Sequence, residues 1–389
     1  MSRKSLPFLC KTLIGICLLL CGNGRSVGQW KGKVQADKGI TVINNPREPL
    51  WGRIKIDIKE DLAIGNEDNQ QYLFWSVKDI AVDQDSNIYV LDMKNYRIQK
   101  FDRDGKYLLS IGKFGQGPGE FQLPTIVRLN NRTGNIYTKD NASSIVVFNE
   151  RGEYVDKLAL KHVLRDFIVD QGGNIFAILE RSNEKELTAV HVLCRISPQG
   201  QVVEISNEFP YPLDMRRIGE GTFARSTGFE PGLYLARLDE NKFVYGYSAE
   251  YELTVKDWSE RVLFKIRRNL APQSFTRVER DALGGTRDSR STLLEHKPFF
   301  FKIICDSRGR IYVQRNSSRK IIPGKGAVEI SAKEVDVFSK NGRFLYEAQL
   351  PANTFVIKDG FLFVYESNED TGLEAIKRFR INNWAQLKE

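Results

Sequence analysis

Short runs of alternating apolar and polar residues recur along the chain, and the clearest set lies between residues 77 and 111. Four strand-length runs follow one another there, at Val77–Asp83, Asn87–Asp92, Arg97–Phe101 and Lys106–Ile111. Turn residues such as Asp, Asn, Gly and Ser separate them. Runs of this length and period are typical of β-strands, and short polar turns join antiparallel neighbours. The pattern therefore predicts a four-stranded antiparallel meander.

The same unit returns five more times along the chain. Its second strand is the most regular marker, and it recurs as Asn135-Ile136-Tyr137, Asn174-Ile175-Phe176, Lys242-Phe243-Val244, Arg310-Ile311-Tyr312 and Phe361-Leu362-Phe363. Six such units predict an all-β fold, a six-bladed β-propeller with four-stranded blades, because closure into a ring protects the strand edges. The sixth unit ends after its third strand, near Ile381, and the alternating segment Trp51–Ile58 is predicted to close it as an N-terminal strand.

One insertion favours a short helix. Thr276-Arg277-Val278-Glu279 has the spacing of a capping box, the run continues to Leu283, and Gly284-Gly285 would end it. A helix of this length is marginal in water by itself, so we expect it to dock on the propeller.

The first residues are expected to be an export signal. A basic start is followed by the apolar run Leu13–Leu20, which is too short to span a bilayer. Leu18–Cys21 resembles the lipobox of bacterial lipoproteins, in which the cysteine receives lipid, although Leu20 stands where a small residue is usual. Cleavage after Gly28 is the alternative. We expect a signal peptide over residues 1–28 (a lipoprotein signal would end at Cys21), a linker over 29–49 and the propeller over 50–389.

Three motifs carry a resemblance to a known family. They are Asp83-x-x-x-Asn87-Ile88-Tyr89-Val90-x-Asp92, Ile98-x-x-Phe101-Asp102-x-Asp104-Gly105 and the loop Gly115-Gln116-Gly117-Pro118-Gly119-Glu120-Phe121. With them the chain, over about residues 50–382, resembles the NHL-repeat propellers, especially the six-bladed propellers of bacterial envelopes, many of which look like lipoproteins. The resemblance implies the fold and an exported protein, either periplasmic or anchored to the outer membrane through lipid on Cys21. It implies no common activity.

The composition narrows the function classes. The formal net charge of +9 falls to +6 once the first 20 residues are set aside, and the basic residues form no stripe interleaved with aromatics. Together with export this argues against nucleic acid as a partner. Three of the five cysteines lie in the signal region, and the other two, Cys194 and Cys305, fall in different blades and are expected to be free thiols.

The aspartates and the glycine-rich loop that could suggest catalysis are better explained by structural roles. Four aspartates recur at the turn after each unit's first strand, where they satisfy turn backbone locally: Asp83, Asp170, Asp239 and Asp306. Asp92 and Asp140, just after second strands, are interpreted as loop caps, and the Gly115–Gly119 loop as a blade connector because it lacks the Lys-Ser/Thr of a P-loop.

A metal site would need the three histidines to converge, and one of them, His191, lies in a third strand that we expect to be far from the central channel. The first strands are expected to present apolar residues to that channel, namely Ile80, Val82, Phe167, Val169, Ile303 and Ile304. We therefore predict no catalytic residue, metal or cofactor. The alternative is a propeller hydrolase or lyase, lactonase-like or amidating-lyase-like, acting at the channel mouth.

The loops are unequal on the two faces of the predicted ring. Long insertions at 207–232, 267–298 and 316–333 share the face that holds the loops after second and fourth strands, and the last two each carry three more basic than acidic residues. Functional residues usually lie on such loops. We predict a binding or scaffold protein that recognises an anionic glycan, a carboxylate-bearing peptide or a protein partner there. The predicted ligand-binding residues are Trp75, Lys78, His162, Arg165, His296 and Lys302. The competing interpretation is that these loops only cover the blade ends.

Overall fold

The protein is described by a computed structural model that covers residues 29–183, 188–212, 214–218, 221–283, 295–322, 326–329, 332–352, 354–368 and 370–389. The predicted signal region and Cys21 lie outside these residues. Six four-stranded antiparallel sheets form the blades. Each innermost strand contacts the innermost strands of the two neighbouring blades, and the sixth contacts the first, so the ring is closed. The predicted all-β, six-bladed propeller is confirmed.

The N-terminal part carries β1 (Lys33–Asp37), β2 (Ile40–Asn45) and β3 (Ile58–Ile64). Blade one is β4 (Val77–Val82), β5 (Ile88–Asp92), β6 (Arg97–Phe101) and β7 (Tyr107–Ile111). Blade two is β8 (Pro124–Leu129), β9 (Ile136–Asp140), β10 (Ser144–Phe148) and β11 (Tyr154–Ala159). Blade three is β12 (Val163–Val169), β13 (Ile175–Asn183), β14 (Thr188–Ile196) and β15 (Val202–Glu204), with the short β16 (Phe209–Pro210) beside β14.

An added hairpin, β17 (Asp214–Ile218) and β18 (Gly221–Arg225), precedes blade four. Blade four is β19 (Leu233–Arg237), β20 (Lys242–Tyr247), β21 (Glu252–Asp257) and β22 (Val262–Arg268). Helix α1 (Arg277–Ala282) follows. Blade five is β23 (Phe300–Cys305), β24 (Ile311–Arg315), β27 (Ala332–Phe338) and β28 (Phe344–Pro351), with the hairpin β25 (Arg319–Ile322) and β26 (Gly326–Glu329) inserted. Blade six is β29 (Thr354–Lys358), β30 (Phe361–Ser367), β31 (Glu374–Ile381) and β3, and 3-10 turns occur at Met93–Asn95, Asn316–Ser318 and Trp384–Gln386.

The hydrophobic core is divided among the interfaces between neighbouring blades. Between blades one and two, for example, Leu91, Phe121, Ile136 and Phe148 are almost wholly buried in one cluster. Burial of an aromatic or branched side chain contributes roughly 1.5–3 kcal/mol. Because each strand places alternate residues on opposite sheet faces, one blade contributes to two such clusters.

An N-terminal strand closes the ring, as predicted, but it is β3 and not the segment Trp51–Ile58. β3 pairs antiparallel with β31 and so completes blade six. Residues 50–54 instead lie along the outer strand of blade five, where the Trp51 N–H donates to the Leu345 carbonyl at 2.8 Å. Residues 54–58 alternate regularly, whereas β3 contains three consecutive charged residues, Lys59–Asp61, and a bulge between Glu60 and Leu62, so the pattern favoured the wrong segment. Ile56 packs between blades five and six, and Ile64 between blades six and one.

The segment expected to be a linker, residues 29–49, contains the β1–β2 hairpin. Strand β2 pairs in parallel with β22 and extends the sheet of blade four to six strands. Val42 and Ile43 are buried by this pairing. Asn45 ties the hairpin to blade five, since its Nδ2 donates to the Gly342 carbonyl at 2.8 Å and its Oδ1 accepts the Phe344 N–H at 2.7 Å. The hairpin covers the outer edge of blade four, which would otherwise be exposed.

Helix α1 confirms the predicted capping box. Thr276 Oγ1 accepts the Glu279 N–H at 3.2 Å, and the Glu279 carboxylate accepts the Thr276 N–H at 2.9 Å. The following residue, Leu283, is buried with Phe229 and Phe301, which docks the helix on the propeller.

The turn aspartates have the local role that was expected of them. Asp83 Oδ1 accepts the Asn87 N–H at 2.8 Å, and Asp170 Oδ1 accepts the Asn174 N–H at the same distance. Asp239 and Asp306 accept backbone N–H groups of their own turns as well.

Asp92 and Asp140 are loop caps, as interpreted from the sequence. Each accepts the backbone N–H groups of the segment that leads into its own blade's first strand. They therefore fix where the innermost strand begins. The Gly115–Gly119 loop joins β7 to β8 as a blade connector.

Cys194 and Cys305 are unpaired and lie in blades three and five, as predicted. Over the described residues, none of the helices is long and apolar enough to cross a bilayer.

The closing strand provides a test of the ring. Ile64 is 2% exposed between blades six and one. Replacing it with alanine removes buried methyl groups and leaves a cavity, so Ile64→Ala should lower the free energy of unfolding by about 2–4 kcal/mol. Lys59→Ala, in the same strand but exposed, should change it by less than about 0.5 kcal/mol. Denaturant titration measures both, and equal stabilities would contradict closure by β3.

Candidate functional site

All six innermost strands line one central channel, with a cavity volume of about 690 Å3. Its wall is mixed: apolar side chains such as Ile80 and Ile303 alternate with charged ones such as Asp79 and Arg128. The combination of apolar wall and a few placed polar groups is typical of ligand sites.

A bulge near the start of the innermost strand recurs in five of the six blades. The pairing register there skips one residue in β4, β8, β12, β23 and β29, whereas the pairing of β19 is continuous. The skipped residues are Lys78, Thr125, Arg165, Phe301 and Phe355. A bulge redirects its side chain and is common beside functional sites. Four of these residues line the channel on the face where the chain enters each blade, which is also the face of the long insertions: Lys78, Thr125, Arg165 and Phe355. Phe301 instead packs in the core with Phe229.

Three of the six predicted ligand-binding residues line the channel, and three lie outside the described lining. Lys78 and Arg165 occupy bulge positions, and Lys302 follows one. Trp75 is 43% exposed just before β4. The other two, His162 and His296, lie respectively before β12 and in the insertion before β23, where His296 forms a bridge with Ser274. Burial, with Arg181 and Lys161, lowers the pKa of His162.

Arg128 joins three blades across the channel wall. Its Nη1 lies 2.5 Å from Asp79 Oδ2 of blade one, and its Nη2 lies 2.9 Å from Asp166 Oδ1 of blade three. Its Nε donates to the Phe167 carbonyl at 2.9 Å. Both carboxylates also accept backbone N–H groups, from Val127 and Phe167. Burial raises the pKa of Asp166 even though the charge of Arg128 opposes the rise. Arg128 therefore gives each of the two channel carboxylates a hydrogen-bonded cationic partner.

A second polar cluster lies where blades three and four meet. Arg165 Nε donates to Glu180 Oε2 at 2.6 Å, and His191 Nε2 lies 3.5 Å from the same oxygen. His191 Nδ1 accepts the Leu233 N–H at 3.2 Å, so the neutral ring carries its proton on Nε2. Tyr211 stacks on His191 with ring centroids 4.1 Å apart. Burial raises the pKa of Glu180, but the hydrogen bonds and charges of His191 and Arg165 outweigh it and leave the pKa below its ordinary value.

Glu230 is a third channel carboxylate, and it too is compensated. It is 6% exposed and accepts the Thr227 N–H at 2.5 Å and the Gly228 N–H at 3.1 Å. The hydroxyls of Ser226 and Thr227 also donate to it. The turn before blade four thus folds around this side chain.

Two expectations about the channel wall are wrong. Phe167 and Val169 belong to the core cluster of blades two and three, while Asp166 and Ile168 line the channel. The other four residues expected on the wall do line it, namely Ile80, Val82, Ile303 and Ile304. The second wrong expectation concerns His191, which does line the channel. The β13–β14 hairpin is nine residues long on each side, so its upper part reaches the channel rim.

Sequence reasoning missed the charged residues of the wall, and one signal could have found some of them. Lys78-Asp79-Ile80 and Arg165-Asp166-Phe167 repeat a basic-Asp-apolar triplet at the same point of two first strands. No comparable pattern marks Arg128, Glu180 or Glu230. Arg128 is positioned by contacts with the two neighbouring blades, Glu180 by other strands of blade three and Glu230 by its own turn. Metal ligands are not grouped in the part of the chain that the structure describes: no three His, Cys, Asp or Glu side chains lie so as to hold an ion.

The fold and the channel define a β-propeller with six blades, and comparison with known proteins agrees. Residues 67–214 match the model of a family, DUF5128, described as a 6-bladed beta-propeller. The brain tumor protein of Drosophila melanogaster is 29% identical over 104 residues, which cover 25% of this chain and 10% of that protein. The chain thus spans about a tenth of that relative's length.

Two solved structures from Bacteroides share the fold. A Bacteroides fragilis protein predicted to be exported has a TM-score of 0.55 at 11% identity, over 88% of this chain and 100% of that one. A Bacteroides vulgatus member of the DUF4221 family has a TM-score of 0.55 at 14% identity, over 83% of this chain and 98% of that one. At these identities the likeness concerns the fold alone.

The Arg128 bridge gives a pH-dependent prediction. Replacing Arg128 with methionine leaves Asp79 and Asp166 near each other without their cation, so the free energy of unfolding at pH 7 should fall by roughly 3 kcal/mol. Without the opposing charge of Arg128, burial should raise the pKa of Asp166 further, so the folded variant takes up a proton as the pH falls, and the deficit should shrink between pH 7 and pH 4. Denaturant titrations at both pH values measure it. A deficit that does not depend on pH would mean that Arg128 acts by packing only.

Proposed function

We propose that the chain is a non-catalytic binding or scaffold propeller of the cell envelope, and that it recognises an anionic ligand on the long-loop face. The ligand class is an acidic glycan, a carboxylate-bearing peptide or the acidic surface of a protein partner. The observation that carries the proposal is the set of three cationic side chains around the channel rim, Lys78, Arg165 and Lys302.

The described lining of the channel holds more basic than acidic side chains. The basic ones are Lys78, Arg128, Arg165, Arg237 and Lys302, and the acidic ones are Asp79, Asp166 and Glu230. Glu180, which pairs with Arg165 from outside this lining, reduces the excess to a single positive charge. Asp79 and Asp166 are held by Arg128 and Glu230 by four donors of its own turn, so these carboxylates are directed into the wall. The low-dielectric walls of the cavity concentrate the potential of the rim cations.

The surroundings of the rim suit an anionic polymer. The basic insertions at 267–298 and 316–333 connect strands on the same face, so they would attract an anion toward the channel. Exposed aromatic surface lies nearby on blades one and two, where Phe114 is 66% exposed and its ring lies 4.7 Å from that of Tyr96. Trp75 adds a further exposed ring. Aromatic faces next to hydrogen-bond donors are suited to stacking on sugars.

The envelope location is supported by two observations. The first residues have the pattern of an export signal with a cysteine at 21, and a structural neighbour of the same fold is itself predicted to be exported. The proposal has two forms: the protein is either periplasmic or anchored to the outer membrane.

Neutralising the rim tests the binding function. The triple variant Lys78→Gln, Arg165→Gln, Lys302→Gln should bind acidic polysaccharides and acidic peptides at least about tenfold more weakly, since each charge-assisted contact contributes about 1.5–3 kcal/mol. Glutamine is preferred to glutamate because Arg165 faces the buried Glu180. Glycan arrays and calorimetry at two salt concentrations measure the effect.

A matched control removes the same charge from the opposite face. Arg103, Lys106 and Lys340 lie in or beside turns between third and fourth strands, and their change to glutamine should leave binding unaltered. Equal losses in both triple variants would show that net charge, and not the rim, governs binding.

The proposed lipid anchor on Cys21 is tested by a separate experiment. If Cys21 is acylated, Cys21→Ser should move the protein from the membrane fraction to the soluble fraction. Mass spectrometry of the mature protein gives the modified residue directly. A mature chain that begins at Gln29 would overturn the lipoprotein form of the proposal and leave the periplasmic form.

A further inference from the structure

A second, smaller cavity opens beside the channel between blades five, six and one. Its volume is about 240 Å3. Four residues line both cavities, so the two spaces adjoin: Lys78 of β4, Lys302 and Ile304 of β23, and Phe355 of β29. Lys333 of β27 lines the smaller cavity as well. We call it the lysine pocket.

The charge of the lysine pocket is one-sided. Three lysines line it, and its described lining residues include no aspartate or glutamate. Lys333 is only 4% exposed, although lysines are seldom buried so completely. Lys302 donates to the Thr354 carbonyl at 3.0 Å, and neither Lys302 nor Lys333 is without a partner in the protein. The inference therefore depends on the shared cavity and its charge, and not on an unsatisfied lysine.

One acid, Glu374, interacts with the lining residues Val77 and Lys78. Glu374 accepts the Val77 N–H, which fixes its carboxylate at the entry to β4. It acts electrostatically on Lys78, but it is not among the described lining residues. Three ammonium groups around one cavity repel one another, and apolar walls such as Val335 and Leu350 weaken screening. An oxyanion bound in the cavity would be attracted by all three lysines and would offset their mutual repulsion.

The rest of the lining suits a compact polar group. Gln314, Tyr312 and Tyr365 are among the lining residues. The Tyr312 hydroxyl donates to Asp306 at 2.9 Å, so Tyr312 contributes its ring. The volume is below the roughly 300–1,000 Å3 of pockets that hold a whole drug-sized ligand. A single charged substituent with its nearest atoms fits this size better than a complete oligomer.

We propose that the lysine pocket binds one oxyanionic group, a sulfate, phosphate or carboxylate, of the ligand whose body lies over the channel. This rests on the proposed function and adds the subsite that recognises the ligand's charge. The ligand would then be a polymer or peptide with a terminal or pendant oxyanion.

Small anions test the pocket without the natural ligand. Sulfate, phosphate and glucuronate are titrated separately into the full-length protein by calorimetry and thermal denaturation, in a buffer without other oxyanions. Wild type should bind at least one of them and be stabilised by it. Lys333→Met should weaken that binding by about tenfold or more, since it removes one charge-assisted contact. The preferred anion shows which of the three groups the pocket takes.

Two further variants separate the alternatives. Lys340→Met, at an exposed site in the turn between β27 and β28, should bind as wild type does. Arg165→Gln, at the channel rim but outside the pocket lining, tests whether the small anion binds at the rim instead of in the pocket. Thermal denaturation of Lys333→Met without anion measures separately what Lys333 contributes to folding through its contacts in the protein. A lower melting temperature with unchanged anion binding would give Lys333 a structural role and overturn the proposal.

The remaining outcomes distinguish the subsite from the proposed function. Anion binding lost in Arg165→Gln but kept in Lys333→Met would place the anion at the rim, so that the pocket fails and the proposed function stands. Failure of wild type to bind any of the three anions at millimolar concentration also overturns the pocket, and polysaccharide binding by the same protein would still support the proposed function. If the wild-type protein bound neither the small anions nor acidic polysaccharides, both the pocket and the proposed function would be overturned.

Discussion

The pairing of β3 with β31 is the constraint on which the rest of the structure depends. It joins residues 58–64 to residues 374–381, more than 300 positions apart, and it completes the sixth blade. Without it blade six would expose a long edge, and the clusters on either side of that blade would lose one wall. The six innermost strands can surround a common channel only when the ring is complete. The channel is therefore a product of closure and not of any one blade.

Closure is reinforced on the outer side of the ring by the chain that precedes β3. The β1–β2 hairpin extends blade four, Asn45 connects it to blade five, and residues 50–54 run along the outer strand of blade five. The N-terminal segment thus spans blades four, five and six in turn. Such a path couples the stability of three blades through backbone hydrogen bonds, whose geometry does not require particular side chains.

The site is built from bulges held in place by side chains of neighbouring elements. Asp92 caps the entry to β4 and Asp140 the entry to β8, so each innermost strand begins at a fixed point. The bulge that follows turns one residue out of the regular alternation, which puts Lys78 and Arg165 at the rim and Asp79 and Asp166 on the wall. Arg128 then compensates both aspartates. Asp79 is buried in this bridge, whereas the rim residues Lys78 and Arg165 are exposed, so a ligand would meet the rim cations first.

The sequence by itself determined the repeat, the number of blades, the short turns with their aspartates, the capped helix and the basic character of the long-loop face. Each of these follows from local patterns: period-two alternation, turn residues at fixed offsets and charge counted along a loop. Only the tertiary structure decided which N-terminal segment closes the ring, because the more regular alternation of Trp51–Ile58 favoured the wrong segment and the choice depends on the cluster that each can fill. The same holds for His191 and Arg128, whose contacts in the channel wall are with elements remote in sequence. A one-residue bulge shifts the alternation of side chains along a strand, and the hydrophobic period of the sequence does not show where a bulge lies. The residues of the channel wall could therefore be identified only from the assembled blades.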